Sequence, residues 1–146
     1  MKYLKIIIPL AIFALICFEV NNAENSFSEY EDKVLHNNVN IKGVISSVKR
    51  SNNHCFAVWK IDNVKSNIAY FRSNTNEQYF PYVIKNKKAE IYLELCDTLV
   101  IGDSIELDSN NLLVKITGKN NIERSIGLVT ESYNISFIKK NTQFPN

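Results

Sequence analysis

Residues 40–72, NIKGVISSVKRSNNHCFAVWKIDNVKSNIAYFR, decide the fold, because they hold three apolar runs separated by asparagine-rich turns. Residues 40–48 alternate between two faces, as expected of a strand. Residues 55–59 are apolar on both faces, which is typical of a strand at the centre of a sheet. Residues 68–72 predict a third, shorter strand. We therefore expect these runs to form an antiparallel meander of three strands.

The second half of the chain continues with strand signals around one less regular segment. Residues 86–96 predict a helix, because apolar side chains recur there at helical spacing, although alternate residues of the same segment also fit a strand. The residues at helical spacing are Ala89, Tyr92, Leu93 and Cys96. Strands are predicted at residues 104–107 and 112–117, joined by a polar turn, and again at residues 126–129 and 133–138.

This order of elements predicts a mainly β protein. Three strands, a helical insertion and two to four further strands suit a small antiparallel barrel of about five strands with one short helix, which is an OB-like architecture. The predicted domain covers residues 40–146. The chain of 146 residues is too short for a TIM barrel or a two-domain dehydrogenase, and its 45% apolar content is sufficient for a core.

Two short motifs connect the predicted domain to known sequences. One is Gly43-Val44-Ile45 in the first strand, and the other is Gly102-Asp103-Ser104-Ile105-Glu106, which precedes an Asn/Ser turn and a further strand. On these motifs, residues 41–117 resemble a group of short exported bacterial proteins of unknown function. The resemblance implies export, often with a lipid anchor, and a small barrel. It implies no activity.

Residues 1–23 are predicted to be a signal peptide. Lys2 and Lys5 precede an apolar run at residues 6–18. The 13 residues of this run are too few for a helix to span about 30 Å of hydrocarbon, and they fit the apolar region of an export signal. Cleavage is expected either before Cys17 or after Ala23.

Cleavage at the first of these sites would make Cys17 a lipid anchor. Cys17 lies at the end of the apolar run, as in a bacterial lipobox, but Ile16 occupies the position where that motif has a small residue. Residues 24–39 are predicted to be a polar spacer with one or two helical turns, which Ser28 would cap with Glu31 three residues later. Membrane contact is expected only through the lipid on Cys17.

Cys55 and Cys96 are the cysteines that would remain in the exported domain. An even number of cysteines in an oxidising compartment fits a disulfide between them, and two buried free thiols are the alternative. The sequence contains neither a CxxC nor an HxxxH spacing. We therefore expect no metal site and no cofactor.

Charge and composition exclude several function classes. The net charge is +2 and falls to +1 or zero once the signal is removed, which does not provide the basic field of a nucleic-acid-binding protein. Four glycines are too few to form a glycine-rich phosphate loop in addition to ordinary turns. The 20 asparagines are expected to serve in turns instead. We expect the short basic run of Lys85, Lys87 and Lys88 to be solvated.

One triplet, Gly102-Asp103-Ser104, is similar to the nucleophile block of the GDS-type esterases. Both His36 and His54 precede it in the chain, and the downstream Asp-x-x-His of that family is absent. A tight turn entering a strand is therefore the favoured interpretation. A small envelope hydrolase or carbohydrate-active enzyme that uses Ser104 or a carboxylate is the alternative function, and no residue is assigned as catalytic.

Five aromatic residues allow two interpretations, a buried core or an exposed stacking surface for a glycan or a peptide. They are Tyr70, Phe71, Tyr79, Phe80 and Tyr82. The leading hypothesis for the whole chain is an exported, non-enzymatic binding or accessory module of the periplasm or cell envelope. Its partner would be an envelope protein or a glycan, and not a nucleic acid.

Overall fold

The computed structural model describes residues 4–73, 78–96, 101–118, 121–131 and 133–145. The chain divides into two compact units, of which the first ends at Val34 and the second begins at Leu35. The first unit is helical and the second contains every described strand. Lys2 of the predicted signal peptide lies outside the described residues.

Helix α1 spans Leu4–Leu35 and contains the apolar run that predicts export. The stretch Ile7–Leu35 is long and apolar enough to cross a membrane, judged by length and composition, and none of its most apolar part is buried. The isoleucine, leucine and phenylalanine side chains of residues 7–18 are each more than half exposed. An exposed apolar helix near the N-terminus is consistent with a signal peptide.

The predicted polar spacer begins inside α1 and is helical up to residue 35, which is more helix than the expected one or two turns. Ser28 therefore lies in the helix interior and does not cap it. Within this helix the Ser26 hydroxyl donates to the backbone carbonyl three residues earlier (2.9 Å) and so does not compete for a cap position. Glu29 precedes Lys33 by four residues, a spacing and order of charges that favour a helix.

The second unit consists of eight described strands and a short helix. In chain order these are β1 (Asn40–Arg50), β2 (Phe56–Ser66), β3 (Tyr70–Phe71), β4 (Tyr82–Lys85), β5 (Lys88–Glu94), β6 (Ser104–Asp108), β7 (Leu113–Thr117), β8 (Glu123–Gly127) and α2 (Ile135–Asn141). The strands pair antiparallel in one sheet, in the order β3-β4-β5-β2-β1-β6-β7-β8. The mainly β prediction is confirmed, with eight strands in place of about five.

Strand β2 lies between β1 and β5 near the middle of the sheet, as its apolar run predicts. Phe56, Ala57, Val58 and Trp59 are each at most 1% exposed, so both faces of the strand are covered. A β-carbon on Gly43 of the neighbouring strand would lie 2.6 Å from the side chain of Ile61. Glycine is therefore required at this point, where β1 and β2 approach closely.

Residues 86–96 do not form the predicted helix. They form the turn and the second strand of a hairpin. Asn86 and Lys87, both with positive φ (53° and 63°), join β4 to β5. This two-residue turn with both φ values positive matches the twist of the flanking strands. Because β5 is buried on both faces, its apolar residues lack the alternation that distinguishes a strand from a helix.

The third predicted strand pairs differently from the expected meander. β3 is only two residues long and pairs with β4 at the edge of the sheet, whereas β5 occupies the place beside β2. The strand predicted at residues 126–129 is β8, five residues that end at Gly127.

The strand predicted at residues 133–138 is wrong, because this segment begins helix α2. One Glu131 oxygen accepts hydrogen bonds from the backbone N–H groups of Tyr133 and Asn134 (2.5 and 2.6 Å), and a carboxylate at this position stabilises a helix start. Ile138 is fully buried against Phe56 and Tyr92. Burial of one apolar side of α2 therefore outweighs the strand propensity of the segment.

The position of α2 divides the outer surface of the sheet into two parts. Val58 of β2, Val83 of β4 and Tyr92 of β5 pack in one cluster with Ile138, so α2 covers the sheet there. On β1 and β6 the outward residues Lys42 and Glu106 are exposed. The uncovered part of the sheet therefore comprises the neighbouring strands β1, β6 and β7 and the end of β2, where Lys65 is exposed.

Cys55 and Cys96 are joined by a disulfide with an S–S distance of 2.19 Å. The bond links the start of β2 to the residues after β5 and closes a loop with a sequence separation of 41. A cross-link over a loop of this length stabilises a domain by about 3–4 kcal/mol in the chain-entropy account. A disulfide is also consistent with export to an oxidising compartment.

A buried carboxylate attaches the C-terminal residues to the sheet. Glu90 is 0% exposed, and its two oxygens accept hydrogen bonds from the Tyr92 hydroxyl (3.0 Å), the Thr142 hydroxyl (2.6 Å) and the Gln143 backbone N–H (2.6 Å). These donors compensate for the loss of water around the carboxylate. The segment after α2 is thereby held against β5.

We expect Glu90→Gln to lower the free energy of unfolding by about 1–3 kcal/mol, because an amide nitrogen would face a donor in place of one acceptor oxygen. The measurement is urea unfolding followed by circular dichroism. Glu94→Gln, on the exposed end of the same strand, is the matched control and should leave stability nearly unchanged. Equal effects of the two substitutions would contradict the attachment role of Glu90.

The pKa of Tyr82 is raised to about 12, chiefly because the side chain is buried, and a hydrogen bond to Asn37 opposes this shift. Burial and the neighbouring Glu90 also raise the pKa of Tyr92. Since the folded state favours neutral tyrosine, this contribution to stability is complete below about pH 10 and is lost as the pH rises through about 12.

An alkaline titration followed by tyrosinate absorbance should therefore show a late ionisation step that coincides with unfolding. Tyr82→Phe should reduce the amplitude of that step. A Tyr82 that ionises near pH 10 in the folded protein would show that its hydroxyl is accessible to water.

Candidate functional site

The structure places Ser104 at the start of β6, directly after the predicted turn. Its hydroxyl contacts the backbone carbonyl of Thr117 on the paired strand at 3.4 Å. The residues that the structure describes show no hydrogen bond between Ser104 and an imidazole or a carboxylate. This geometry lends no support to the alternative in which Ser104 is a nucleophile.

The two histidines and Cys17 occupy separate parts of the chain. His36 precedes β1, and His54 lies in the turn before β2 with a positive φ of 44°. Cys17 is an exposed free thiol in α1. Within the described ranges there is no group of three or more His, Cys, Asp or Glu residues that could hold a metal ion.

Most of the candidate stacking aromatics are part of the core. Tyr79, Phe80 and Tyr82 are at most 4% exposed, and ring contacts of about 5 Å join Phe80, Tyr82 and Phe71. The Tyr82 hydroxyl donates to Asn37 (2.7 Å). Only Tyr70 is strongly exposed, at 60%. These residues therefore do not form a continuous stacking surface.

The strongest candidate site is a row of charged residues across four strands of the uncovered sheet surface. Lys65 of β2 pairs with Lys42 of β1, Lys42 with Glu106 of β6, and Glu106 with Lys115 of β7. Residues directly opposite in neighbouring strands project from the same face. We call this set, Lys65, Lys42, Glu106 and Lys115, the lysine row.

The alternation of apolar and polar residues fixes the outward direction of the lysine row. In β6, Ile105 and Leu107 are buried on either side of Glu106, and in β7, Val114 and Ile116 are buried on either side of Lys115. The core therefore holds each strand in register and leaves the charged residues facing solvent.

The lysine row lies in a groove of about 520 Å³. Asparagine side chains extend the groove at the end of the sheet where β1 begins; they belong to Asn40, Asn67 and Asn111. A second concavity of about 710 Å³ lies between the end of β2 and the β4–β5 turn and includes Lys87. Lys65, Ser66 and Asn67 line both concavities, which are therefore adjacent.

The carboxylates of the first groove already have partners. Glu106 forms an ion pair with Lys42. Asp108 accepts hydrogen bonds from the backbone N–H groups of Asn110 (3.0 Å) and Asn111 (3.3 Å) in the β6–β7 turn. Lys65 and Lys87 have no carboxylate partner among the residues that the structure describes. These two ammonium groups are available to a ligand.

Lys115 differs, since it forms an ion pair with Glu123 of β8 (2.8 Å). Its pKa is raised chiefly by this hydrogen bond, against a smaller effect of desolvation. Lys115 is therefore charged at neutral pH, and its ammonium group is shared with a carboxylate outside the groove lining.

An asparagine network fixes the backbone next to the groove. The Asn67 side chain accepts a hydrogen bond from the backbone N–H of Asn40 (2.9 Å) and donates one to the carbonyl of Asn38 (2.5 Å). The backbone N–H of Asn38 donates to the side-chain oxygen of Asn110 (3.0 Å), and the side-chain amide of Asn110 donates to the side-chain oxygen of Asn38 (3.1 Å). These contacts connect the beginning of β1, the end of β2 and the β6–β7 turn.

Patterns in the sequence do not predict the lysine row, because its members are far apart in the chain. Lys65 and Lys115 are brought together by strand pairing, which single-sequence patterns do not specify. The available signal was that polar residues alternate with apolar ones in these strands, which fixes their face but not their neighbours.

Chemically, the site offers ammonium and amide donors on a solvated, stable sheet surface. Such groups bind anionic and hydroxyl-rich ligands. The chain matches no protein-family model, no curated protein and no solved structure.

Like charges directly opposite in neighbouring strands destabilise a sheet, and Lys42 and Lys65 are such a pair. We expect Lys65→Gln to raise the free energy of unfolding by about 0.2–1 kcal/mol at low ionic strength, with less effect at high salt. Thermal and urea unfolding would measure it. Lys49→Gln is the matched control, because Lys49 is exposed on β1 opposite an apolar residue, Val58. A loss of stability in Lys65→Gln relative to this control would contradict repulsion within the row.

Proposed function

We propose that the protein is an exported, non-enzymatic binding module of the cell envelope, which uses the groove of the lysine row to hold an envelope component. The observation that carries the proposal is the row itself, in which charged side chains lie side by side on the part of the sheet that α2 leaves uncovered. A glycan and an envelope protein are the two kinds of partner that suit a groove lined by lysine, asparagine and aliphatic side chains.

Two features support the exported location. The N-terminal helix is apolar and exposed, and the second unit contains the disulfide between Cys55 and Cys96. Cys17 is exposed within the apolar helix, which suits attachment of a lipid if cleavage occurs before it. The resemblance of residues 41–117 to short exported bacterial proteins agrees with this proposal.

We further propose that the sheet is rolled into an OB-like barrel. An isolated antiparallel bridge joins Tyr79, just before β4, to Glu131, after β8, and each backbone N–H donates to the carbonyl of the other residue (2.7 and 2.9 Å). β4 lies next to one edge of the sheet and β8 forms the other edge. A contact between segments that adjoin opposite sides of the sheet supports a rolled sheet.

Site-specific photo-crosslinking in intact cells tests the binding function. A photoreactive amino acid in place of Lys65 should form an adduct with an envelope component. The same amino acid in place of Tyr133, which is 90% exposed and lies before α2, is the control and should form little adduct. Adducts from the Tyr133 position alone, or from neither position, would contradict the proposed site.

A further inference from the structure

The near-zero net charge of the chain conceals two segments of opposite sign. Residues 24–34 contain four acidic residues and one lysine, a net charge of −3. Residues 35–146 contain 14 Lys and Arg against 10 Asp and Glu, a net charge of +4. The β unit is therefore basic, although the whole-chain charge indicates no electrostatic partner.

Much of this positive charge lies at one end of the sheet. Because all strands are antiparallel, the start of β1, the end of β2, the β4–β5 turn and the start of β7 lie at the same end. Six lysines belong to this end: Lys42, Lys65, Lys85, Lys87, Lys88 and Lys115. The described carboxylates near them are Asp62, Glu106, Asp108 and Glu123, the last of which pairs with Lys115. Glu90 of β5 is buried and bonded to the C-terminal residues. We call the six lysines the lysine end.

The lysine end contains two pairs of like charges that face each other across neighbouring strands. Lys42 lies opposite Lys65, and Lys85 lies opposite Lys88. Asp62 provides Lys88 with a distant ion pair at 3.9 Å, and Glu106 pairs with Lys42. Two opposed pairs at one sheet end oppose folding, and a bound anion would remove this repulsion.

Four of these lysines line the two adjacent concavities and so lie in one continuous series. Lys87 lines the second concavity, Lys65 lines both, and Lys42 and Lys115 line the first. Strands in a sheet lie about 4.8 Å apart, so the lysine row alone extends over about 14 Å. An extended polymer with repeated negative groups fits this arrangement better than a single small anion does.

The lining residues also distinguish between polymers. The described lining of both concavities includes no Phe, Tyr or Trp. Single-stranded nucleic acids are held by stacking of bases on aromatic side chains together with basic grooves, and that platform is missing here. Asparagine side chains, which donate to and accept from hydroxyl groups, lie beside the lysines instead.

We propose that the ligand of this site is a polyanionic polysaccharide, a sugar polymer with carboxylate or phosphate groups, bound along the lysine end. This inference rests on the proposed binding function and specifies its ligand class. The anionic groups are held by Lys65 and Lys87, which lack a carboxylate partner among the described residues. The sugar hydroxyls accept the second amide hydrogen of Asn67 and of Asn111, because the first one already bonds to Asn38 and to Asp108, respectively.

Isothermal titration calorimetry with the full chain in a neutral detergent tests this proposal. The probe is polygalacturonate, a carboxylated polysaccharide, and dextran is the neutral comparison. We expect binding of polygalacturonate alone, and its loss as salt is raised, because added ions screen exposed charges. The Lys65→Gln/Lys87→Gln variant should bind about tenfold more weakly at low ionic strength.

The matched control is Lys139→Gln/Lys140→Gln, which removes the same charge from exposed residues of α2. This variant should bind nearly as the unaltered protein does. Equal losses in the two variants would show that net charge and not the lysine end governs binding, and the proposal would be wrong. Tighter binding of a single-stranded oligonucleotide than of polygalacturonate would overturn it as well.

The outcome also separates this proposal from the binding function. One outcome is that an envelope adduct forms at the Lys65 position but polygalacturonate does not bind, or dextran binds equally. The binding function would then be supported, and the assignment of a polyanionic ligand would be wrong. If neither an adduct nor polysaccharide binding is observed, both are wrong.

Discussion

Burial of β2 on both of its faces is the constraint on which the rest of the second unit depends. The backbone of β2 forms hydrogen bonds with β1 on one edge and with β5 on the other. The side chains of Phe56, Val58 and Trp59 must be buried on both faces of the sheet. On one face Ala57, Trp59 and Ile61 are fully buried, and on the other face α2 packs against Phe56 and Val58. The site follows from this arrangement, because α2 lies over β4, β5 and the start of β2. It leaves the outer face of β1, β6, β7 and the end of β2 mainly to polar residues.

Asparagine occupies positions with positive φ that other proteins commonly fill with glycine. Four of the eight described non-glycine residues with positive φ are asparagines, namely Asn38, Asn63, Asn86 and Asn121. Asparagine adopts this conformation more readily than most residues, and its side chain adds hydrogen bonds that glycine lacks. Around Asn38 these bonds fix the strand ends that carry the lysines, so the turn chemistry and the site are connected.

Local patterns in the sequence predicted the strand content well and the pairing poorly. β6 and β7 follow the predicted ranges closely, because Ile105, Leu107, Val114 and Ile116 alternate with polar residues. The segment 86–96 was predicted as a helix because burial on both faces removed that alternation, and α2 was missed because its stability comes from Glu131 and from packing against distant residues. The lysine row depends on the register of four strands, which only the folded sheet determines.

The central claim is that a basic end of the sheet, and not the buried aromatics or Ser104, is the functional surface. The most direct measurement is backbone nuclear magnetic resonance of the isotope-labelled full chain in neutral detergent during titration with polygalacturonate. The account predicts shifts of the amide signals of Lys42, Lys65, Asn67, Lys87 and Lys115, while the signals of α2 stay in place. Shifts confined to α2 or to the surroundings of Ser104, or no shifts at saturating polymer, would contradict it.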